Sequence, residues 1–495
     1  MKNALITMPL LLFLLVDAMQ VIAQDTQDDK MRRLQTRMDE LRAQMTQLQV
    51  EIDAMHGVRD LSKAPQEPVP EHLETGAIKR TMPPLPPAVQ LTPQQQQAAV
   101  SAVTSEHETF LEESEPVPRL YNAPLEPTYP GFFVLPGTQT MMRLNGILKT
   151  DFIFDPRPAG VPDAFIPSSI PIPQEPSNQN FNAAVRESRV SVDLRIPVSK
   201  IGMARTFIQF DFFGANGATT PRLRHFYGQV HNILVGQTNT VFMDPDAWPD
   251  ILDFQGPTSG ILARPPQFRY SFLIGRGFSS AVSVEQPVSD IRFSVDGSAA
   301  RPITPAPDGA IRLLYDTNRG HFYLSSIFRD LAVHLPNGGP QESALGWGIN
   351  FSSTWRTFGR DTLNYQAAYG NGIARYTGDA ATLGLDAAPR AQTDLTLKAL
   401  PTFAPWISYQ HYWNKSVRSN ATFGWLQVQN TAFLPENSYH KSSYSSANVI
   451  WNAYGSLSFG AEFMYGWVRE KSGATANAPR FQISGRYTFV KLHEE

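Results

Sequence analysis

The chain has 495 residues, a net charge of −3 and no cysteine. A charge this close to zero offers no basic face for nucleic acid, and the missing thiols exclude disulfides and thiolate metal centres. A helical membrane protein would repeat apolar runs of about twenty residues, and the one long apolar run, at the extreme N-terminus, is shorter than that.

In chain order, Lys2 precedes an almost wholly apolar run over residues 4–16, and Val21-Ile22-Ala23 follows. A charged start, an apolar middle and a small-residue cleavage site predict an export signal over residues 1–23. The run is too short to span a membrane comfortably as an anchor. Next, Met31, Leu34, Met38, Leu41, Met45, Leu48, Ile52 and Met55 alternate spacings of three and four. That a/d seam, about four heptads long, predicts an α-helical coiled coil over residues 24–57. A lone amphipathic helix would need a globular body beside it, so copies of the same helix are the natural partner; methionines on the seam specify their number poorly. Residues 58–135 read as a linker: Pro65, Pro68, Pro70, Pro83, Pro84, Pro86, Pro87 and Pro93 break regular structure, and Gln94 to Gln97 is low-complexity.

Over residues 136–495 the period falls to two. Val190, Val192, Leu194 and Ile196 alternate with Arg189, Ser191, Asp193 and Arg195. Ala204, Thr206, Ile208, Phe210 and Phe212 alternate with Arg205, Phe207, Gln209 and Asp211, and the last strand repeats the pattern around Phe481, Ile483, Tyr487 and Phe489. A soluble sandwich gives the same alternation. Segments of about ten residues, with aromatics such as Trp406, Tyr409, Tyr412, Trp413, Tyr465 and Trp467 at their ends, favour strands that cross a bilayer. Roughly sixteen or seventeen strand-like segments occur, and single-chain bacterial barrels take an even number. The predicted fold class is therefore all-β, a sixteen-stranded antiparallel transmembrane barrel with an aqueous lumen. Residues 156–180 and 299–309 read as long external loops; Gly275-Arg276-Gly277 and Asn318-Arg319-Gly320 read as short turns.

One connection is over-long. Residues 236–260, GQTNTVFMDPDAWPDILDFQGPTSG, separate the strands Ile233-Leu234-Val235 and Phe268-Arg269-Tyr270-Ser271-Phe272. A hairpin needs only about two to five residues. Asp244, Asp246, Asp250 and Asp253 are joined here by Phe242, Trp248 and Phe254 and stiffened by Pro245, Pro249 and Pro257. Apolar anchors beside carboxylates predict a loop folded inward as a constriction, with an ordinary surface loop as the alternative.

Three stretches carry a resemblance: Phe133-Val134-Leu135-Pro136-Gly137-Thr138-Gln139-Thr140 with Leu144-Asn145-Gly146 and Asp151-Phe152-Ile153; Gly370-Asn371-Gly372-Ile373-Ala374-Arg375-Tyr376; and the GQT, DPD and LDFQGP elements of the long loop. Together with the order signal, coiled coil, proline-rich spacer, barrel, they resemble the DcaP-like outer-membrane porins. The long loop also resembles the inward third loop of general trimeric porins. The resemblance implies a homotrimer and uptake of small dicarboxylates. The chain departs from the common porin ending, since Lys491 to Glu495 trail beyond the aromatic Phe489.

Strand parity turns Arg189, Arg195, Arg205, Arg222, Arg224 and Arg269 toward the lumen, opposite the loop set Asp244, Asp246, Trp248, Asp250 and Asp253. Such a wall would set up a transverse field that attracts small anionic solutes, and arginine forks suit carboxylates. The competing reading pairs these arginines with Asp193, Asp211 or the loop acids as structural ties. Gly370-Asn371-Gly372 lacks a dinucleotide-loop setting and is expected to be a turn. No metal-binding histidine pair, Walker loop or nucleophile elbow occurs, and His225 and His411 are expected in the wall or girdle. The expectation is a porin of the outer membrane with its coiled coil in the periplasm, no enzyme and no cofactor. Its expected partners are outer-membrane lipid and lipopolysaccharide, with peptidoglycan a candidate for the N-terminal region. The alternatives are an unselective porin and an envelope-tethering protein.

Overall fold

The computed structural model describes residues 132–174, 178–198, 202–214 and 217–489. The expected signal, the coiled coil, nearly all of the linker and the tail after Phe489 lie outside the described residues. Sixteen strands run up and down in sequence order: β1 (Met141–Asp155), β2 (Asn180–Ala184 continued by Arg189–Val198), β3 (Gly202–Phe213), β4 (Thr219–Val230), β5 (Ile233–Gln237), β6 (Pro266–Gly275), β7 (Phe278–Glu285), β8 (Asp308–Thr317), β9 (Gly320–His334), β10 (Gln341–Arg356), β11 (Thr362–Asn371), β12 (Pro401–Tyr412), β13 (Val417–Val428), β14 (Tyr439–Tyr454), β15 (Leu457–Glu470) and β16 (Thr475–Phe489). Each pairs antiparallel with the next. The last returns to the first, from Phe154 opposite Phe481 to Gly146 opposite Phe489, so the sheet has no free edge. Phe133–Val134 adds to β1, and Arg301–Ile303 adds to β9.

The two-residue rhythm becomes an outside and an inside. On β1, Leu148, Phe152 and Phe154 are exposed, whereas Lys149, Asp151 and Asp155 are buried. On β16, Phe481, Ile483 and Tyr487 are exposed, whereas Arg480, Gln482, Ser484 and Arg486 are buried. An exposed apolar band around a polar interior is the inverse of a soluble core and matches a barrel bathed in lipid. One expectation is corrected here. Trp406 does not belong to an aromatic girdle: it is 3% exposed, points inward, and meets Trp248 of the long loop edge-on at 6.5 Å between ring centres.

The two rims differ. At one end the strands join through short turns. Arg276 and Gly277 both take positive φ (53° and 83°), as a two-residue primed turn requires. At the other end lie the long connections 156–179, 238–265, 286–307 and 372–400. In bacterial barrels the long loops are external and the short turns periplasmic. The stretch 286–307, irregular in sequence, forms a small hairpin (Ser294–Val295 with Ser298–Ala299). A second hairpin pairs Ala387–Ala391 with Asp394–Ala399.

Charging the outer face tests this orientation. Ile483→Arg, at a position 59% exposed, should destabilise the folded barrel in lipid vesicles by about 2–4 kcal/mol if it sits near the bilayer midplane. Equilibrium unfolding reads the loss; stability equal to that of the parent would place β16 the other way round.

Candidate functional site

Residues 238–265 leave β5 and reach β6 by way of the barrel interior. Backbone taken into an enclosed space needs partners for its amide groups, and inward side chains of β9–β16 supply them. Tyr323 donates to the carbonyls of Val241 and Met243 (2.7 and 2.8 Å), and Ser325 and Asn350 both donate to that of Phe242 (2.9 Å each). Thr354 donates to Asp246, Asn448 to Asp250 and Gln482 to Leu252 (2.8, 2.8 and 2.9 Å). Glu462 accepts the N–H groups of Leu252 and Asp253, and Lys149 of β1 also donates to the Leu252 carbonyl. Each bond contributes about 0.5–1.5 kcal/mol net, and leaving its buried partner unmet costs more.

The loop acids take part in the same anchoring. Asp244 meets His321 Nε2 at 2.7 Å and accepts from Ser352 (2.8 Å), and it caps the short turn Pro245–Ala247 through the Asp246 N–H. Asp250 accepts from Arg418 Nε (2.6 Å) and Gln410 (2.8 Å). Asp253 accepts the N–H groups of Phe165 and Gly256, both at 2.9 Å. Burial pushes its carboxyl up to about 6, against the pull of those two N–H groups. Asp246 is half-buried and lines a small cavity with Arg269 and Arg312. Asp244 and Asp250 thus meet the β9–β13 side of the wall, and Asp253 holds a neighbouring loop. Asp253 also lines the cavity that holds Arg189 and Arg224, but the four acids do not form one row facing the arginines of β2–β4. Phe242 is fully buried, edge-on to Tyr376 at 5.8 Å, and Phe254 stacks on Phe213 of β3 at 3.7 Å.

Two further loops fold in beside the first. Residues 372–400 run antiparallel to it, with Ile261 bridging Thr377, Leu262 N–H donating to Tyr376 (2.7 Å) and Asp379 N–H to Thr258 (3.0 Å). Residues 156–179 contribute Phe165, which is fully buried, and Ser168, whose N–H and hydroxyl both bond Asp379. One apolar cluster joins all three through Phe165, Ile170, Val241, Phe242, Ile261, Ile373, Tyr376 and Leu385. The lumen is therefore filled on one side and open on the other.

The open side is basic, and its arginines fall into separate groups. Arg189 and Arg224 line one cavity with Trp248, Ile251, Phe254 and two further arginines, Arg264 and Arg486; the carboxylates of Glu187, 3.6 Å from Arg189, and of Asp253 line it too. Arg195 and Arg205 converge on Asp193 (2.9 and 2.8 Å), and Arg205 also donates to the Tyr227 hydroxyl (2.9 Å). Arg222 and Arg224 share Asp211, and the Arg222 side chain stays 42% exposed. Arg269 donates to Gln267 (2.8 Å) and to the Asn239 carbonyl. His225 is buried in the wall beside Thr238, and His411 sits at the turn-bearing rim with Asp361 (2.7 Å).

Arg264 is the residue that sequence reading passed over. It belongs to the loop itself, just before Pro265, and makes no hydrogen bond or ion pair among the described residues. Its guanidinium is pulled down to about 9, first by burial and then by Arg189 and Arg222, with Asp211 opposing. Arg189 and Arg222 thus bring like charge to a buried guanidinium, and Asp211 offsets part of it. The signal was a cation between Ile261-Leu262-Ala263 and a proline pair, beyond the point where the loop was expected to end. Arg486 and Arg312 had inward parity, between Gly485 and Tyr487 and between Ile311 and Leu313.

The profile of a family described as DcaP outer membrane protein matches residues 134–489. No curated protein matches the chain. Among solved structures, the outer membrane channel DcaP of Acinetobacter baumannii is similar over 72% of this chain and 99% of its own, with 19% identity and a TM-score of 0.62. An anion-selective porin from Comamonas acidovorans is similar over 71% and 100%, with 10% identity and a TM-score of 0.49. OmpF of Salmonella typhi is similar over 71% and 98%, with 8% identity and a TM-score of 0.46.

Asp250→Ala tests the anchoring. Removing one partner of a buried ion pair costs about 3–5 kcal/mol, here by stripping Arg418 of a carboxylate inside the barrel. The loop should loosen while the barrel stays closed, so current noise through single channels should rise with heat-modifiable gel mobility intact. Noise at the parental level would show that this anchor does not hold the loop.

Proposed function

We propose, on the premise that the chain belongs to the DcaP outer membrane protein family, that it is a passive diffusion channel preferring small anionic solutes, dicarboxylates foremost. The family and the fold are those of an outer-membrane channel and not of an enzyme. The observation that carries the preference is Arg264, placed on the inward loop and lining one cavity with Arg189, Arg224 and Arg486. A dianion drawn into this space meets cations from the wall and from the loop, so each carboxylate finds a planar fork able to donate two parallel bonds. Low-dielectric walls raise the local anion concentration further.

The loop 238–265 is the constriction in this reading, with Met243, Pro245, Trp248, Ile251 and Phe254 toward the cavity beside Asp253 and Arg264. Arg195, Arg205, Arg222 and Arg269 act outside the narrow part, as relays or as wall ties. The assembly is a homotrimer in outer-membrane lipid, with residues 24–57 as a periplasmic coiled coil and residues 58–135 as a spacer. An unselective pore is the second reading, favoured by Asp193 and Asp211, each of which neutralises part of two arginines.

Reversal potential across a salt gradient in a planar bilayer separates the two. The parent should pass anions over cations, and Arg264→Ser should reduce that ratio by about three- to tenfold, the effect of one unit charge at about 4–6 Å in the dielectric of a water-filled pore. Succinate-like dianions should interrupt single-channel current more strongly than chloride alone. Cation preference in the parent would defeat the anion reading and leave the channel fold standing.

A further inference from the structure

The sixteen strands place their lysines and arginines on the inner face, with two exceptions among the described residues. Lys441 on β14 and Arg469 on β15 share the outer parity, and they are cross-strand neighbours. Gln427 of β13 stands opposite Lys441 on its other side. One pleat nearer the middle of the barrel lie Trp425 and Trp467, each opposite Ser443. The serine is small enough to let both rings lean over it. They stack with centroids 5.9 Å apart and planes 20° apart, and Lys441 Nζ lies 5.4 Å from the Trp425 ring centre.

The height of this cluster on the barrel gives it meaning. It adjoins the connections 429–438 and 471–474, at the rim that carries the long loops. Below it the outer face is apolar, with Phe423 and Phe463 exposed. Tryptophan pairs at that boundary sit at the level of lipid headgroups, so the two cations above them stand where headgroup phosphates lie. Neither cation has an ion-pair partner among the described residues. The acids of this rim are engaged or averted: Glu436 is 2.9 Å from Lys471, and Glu470 has inward parity.

We propose that Lys441 and Arg469, above the stacked Trp425 and Trp467, bind the phosphorylated headgroup of an outer-leaflet glycolipid, the lipid A part of lipopolysaccharide. Arginine donates two parallel bonds to phosphate oxygens and lysine adds a point charge. The indole faces offer flat, amphipathic surfaces for the sugar, and the apolar band below receives the acyl chains. A second copy of the chain fits this patch worse, because a dry protein interface would bury two unpaired cations.

The test uses full-length protein in detergent, stripped of lipid and titrated with purified lipopolysaccharide, with bound lipid read by native mass spectrometry and by tryptophan fluorescence. The parent should bind phosphorylated lipid and discriminate against its dephosphorylated form. The double variant Lys441→Gln/Arg469→Gln should bind at least tenfold more weakly, with heat-modifiable mobility and anion selectivity unchanged, and Lys441→Arg should retain binding. Equal binding by the double variant, or equal binding of the dephosphorylated lipid, would overturn the site. A change in oligomeric state without loss of lipid would assign the patch to subunit contact instead.

Discussion

The structure depends on one requirement: peptide groups taken inside the barrel must all find hydrogen-bond partners. A loop crossing a lumen of this size carries amide donors and carbonyls that water cannot fully serve once apolar side chains seal it. The inner face of β9–β16 meets the need with neutral groups, among them Tyr323, Ser325, Asn350, Thr354, Asn448 and Gln482, each aimed at a loop carbonyl. That half of the wall is committed to protein. Strands β2 to β4 carry the arginine groups gathered on Asp193 and Asp211, and with Arg264 of the loop and Arg486 of β16 they border the cavity. A uniform polar interior is thereby divided into an anchoring side and an open side.

Charge follows the same division. Asp244 and Asp250 are drawn to His321 and Arg418 on the anchoring side. On the open side one carboxylate serves more than one arginine: Asp193 for Arg195 and Arg205, Asp211 for Arg222 and Arg224. Buried ion pairs add little net stability, because desolvation offsets the attraction. They do fix where each guanidinium points. With the acids shared in this way, Arg264 is left without a counter-charge in direct contact. The gathering of four arginines around one cavity, against the two carboxylates of Glu187 and Asp253, results from how the acids are allocated, since the whole chain carries slightly more acids than bases.

Much of this was legible from the chain. Alternation at Val190–Ile196 and Phe481–Phe489 fixed which side chains face in, and the even strand number and the inward loop followed from segment count and length. Two things were not legible. The first is which acid meets which base: Asp250 and Arg418, or Asp155 and Arg480, are far apart in sequence, and parity says only that Asp155, Arg418 and Arg480 face inward, and nothing of the loop residue Asp250. The second is that residues 156–174 and 372–400 also turn inward. Their apolar anchors, Phe165, Ile170, Ile373 and Leu385, lie among prolines, serines and small residues, with no periodicity to mark them as core. Trp406 was misplaced for the same reason. A tryptophan near a strand end suits a girdle, and only parity, even here against odd for Ile407 and Tyr409, turns it to the loop.

A period of two also makes the two faces of one strand chemically independent, and β14 shows how far that goes. Ser442 points inward and bonds Thr258 of one loop and Asp379 of another, so it holds two of the three folded-in loops to the wall. Lys441, one residue earlier, points outward beside the stacked tryptophans. Adjacent residues thus face a buried polar node and the lipid boundary, separated by one backbone. A substitution at either should leave the other face unmoved, because the ladder between β13 and β15 fixes the register from both sides. Solute selection and lipid contact can therefore vary separately in this barrel, each within its own set of alternate residues.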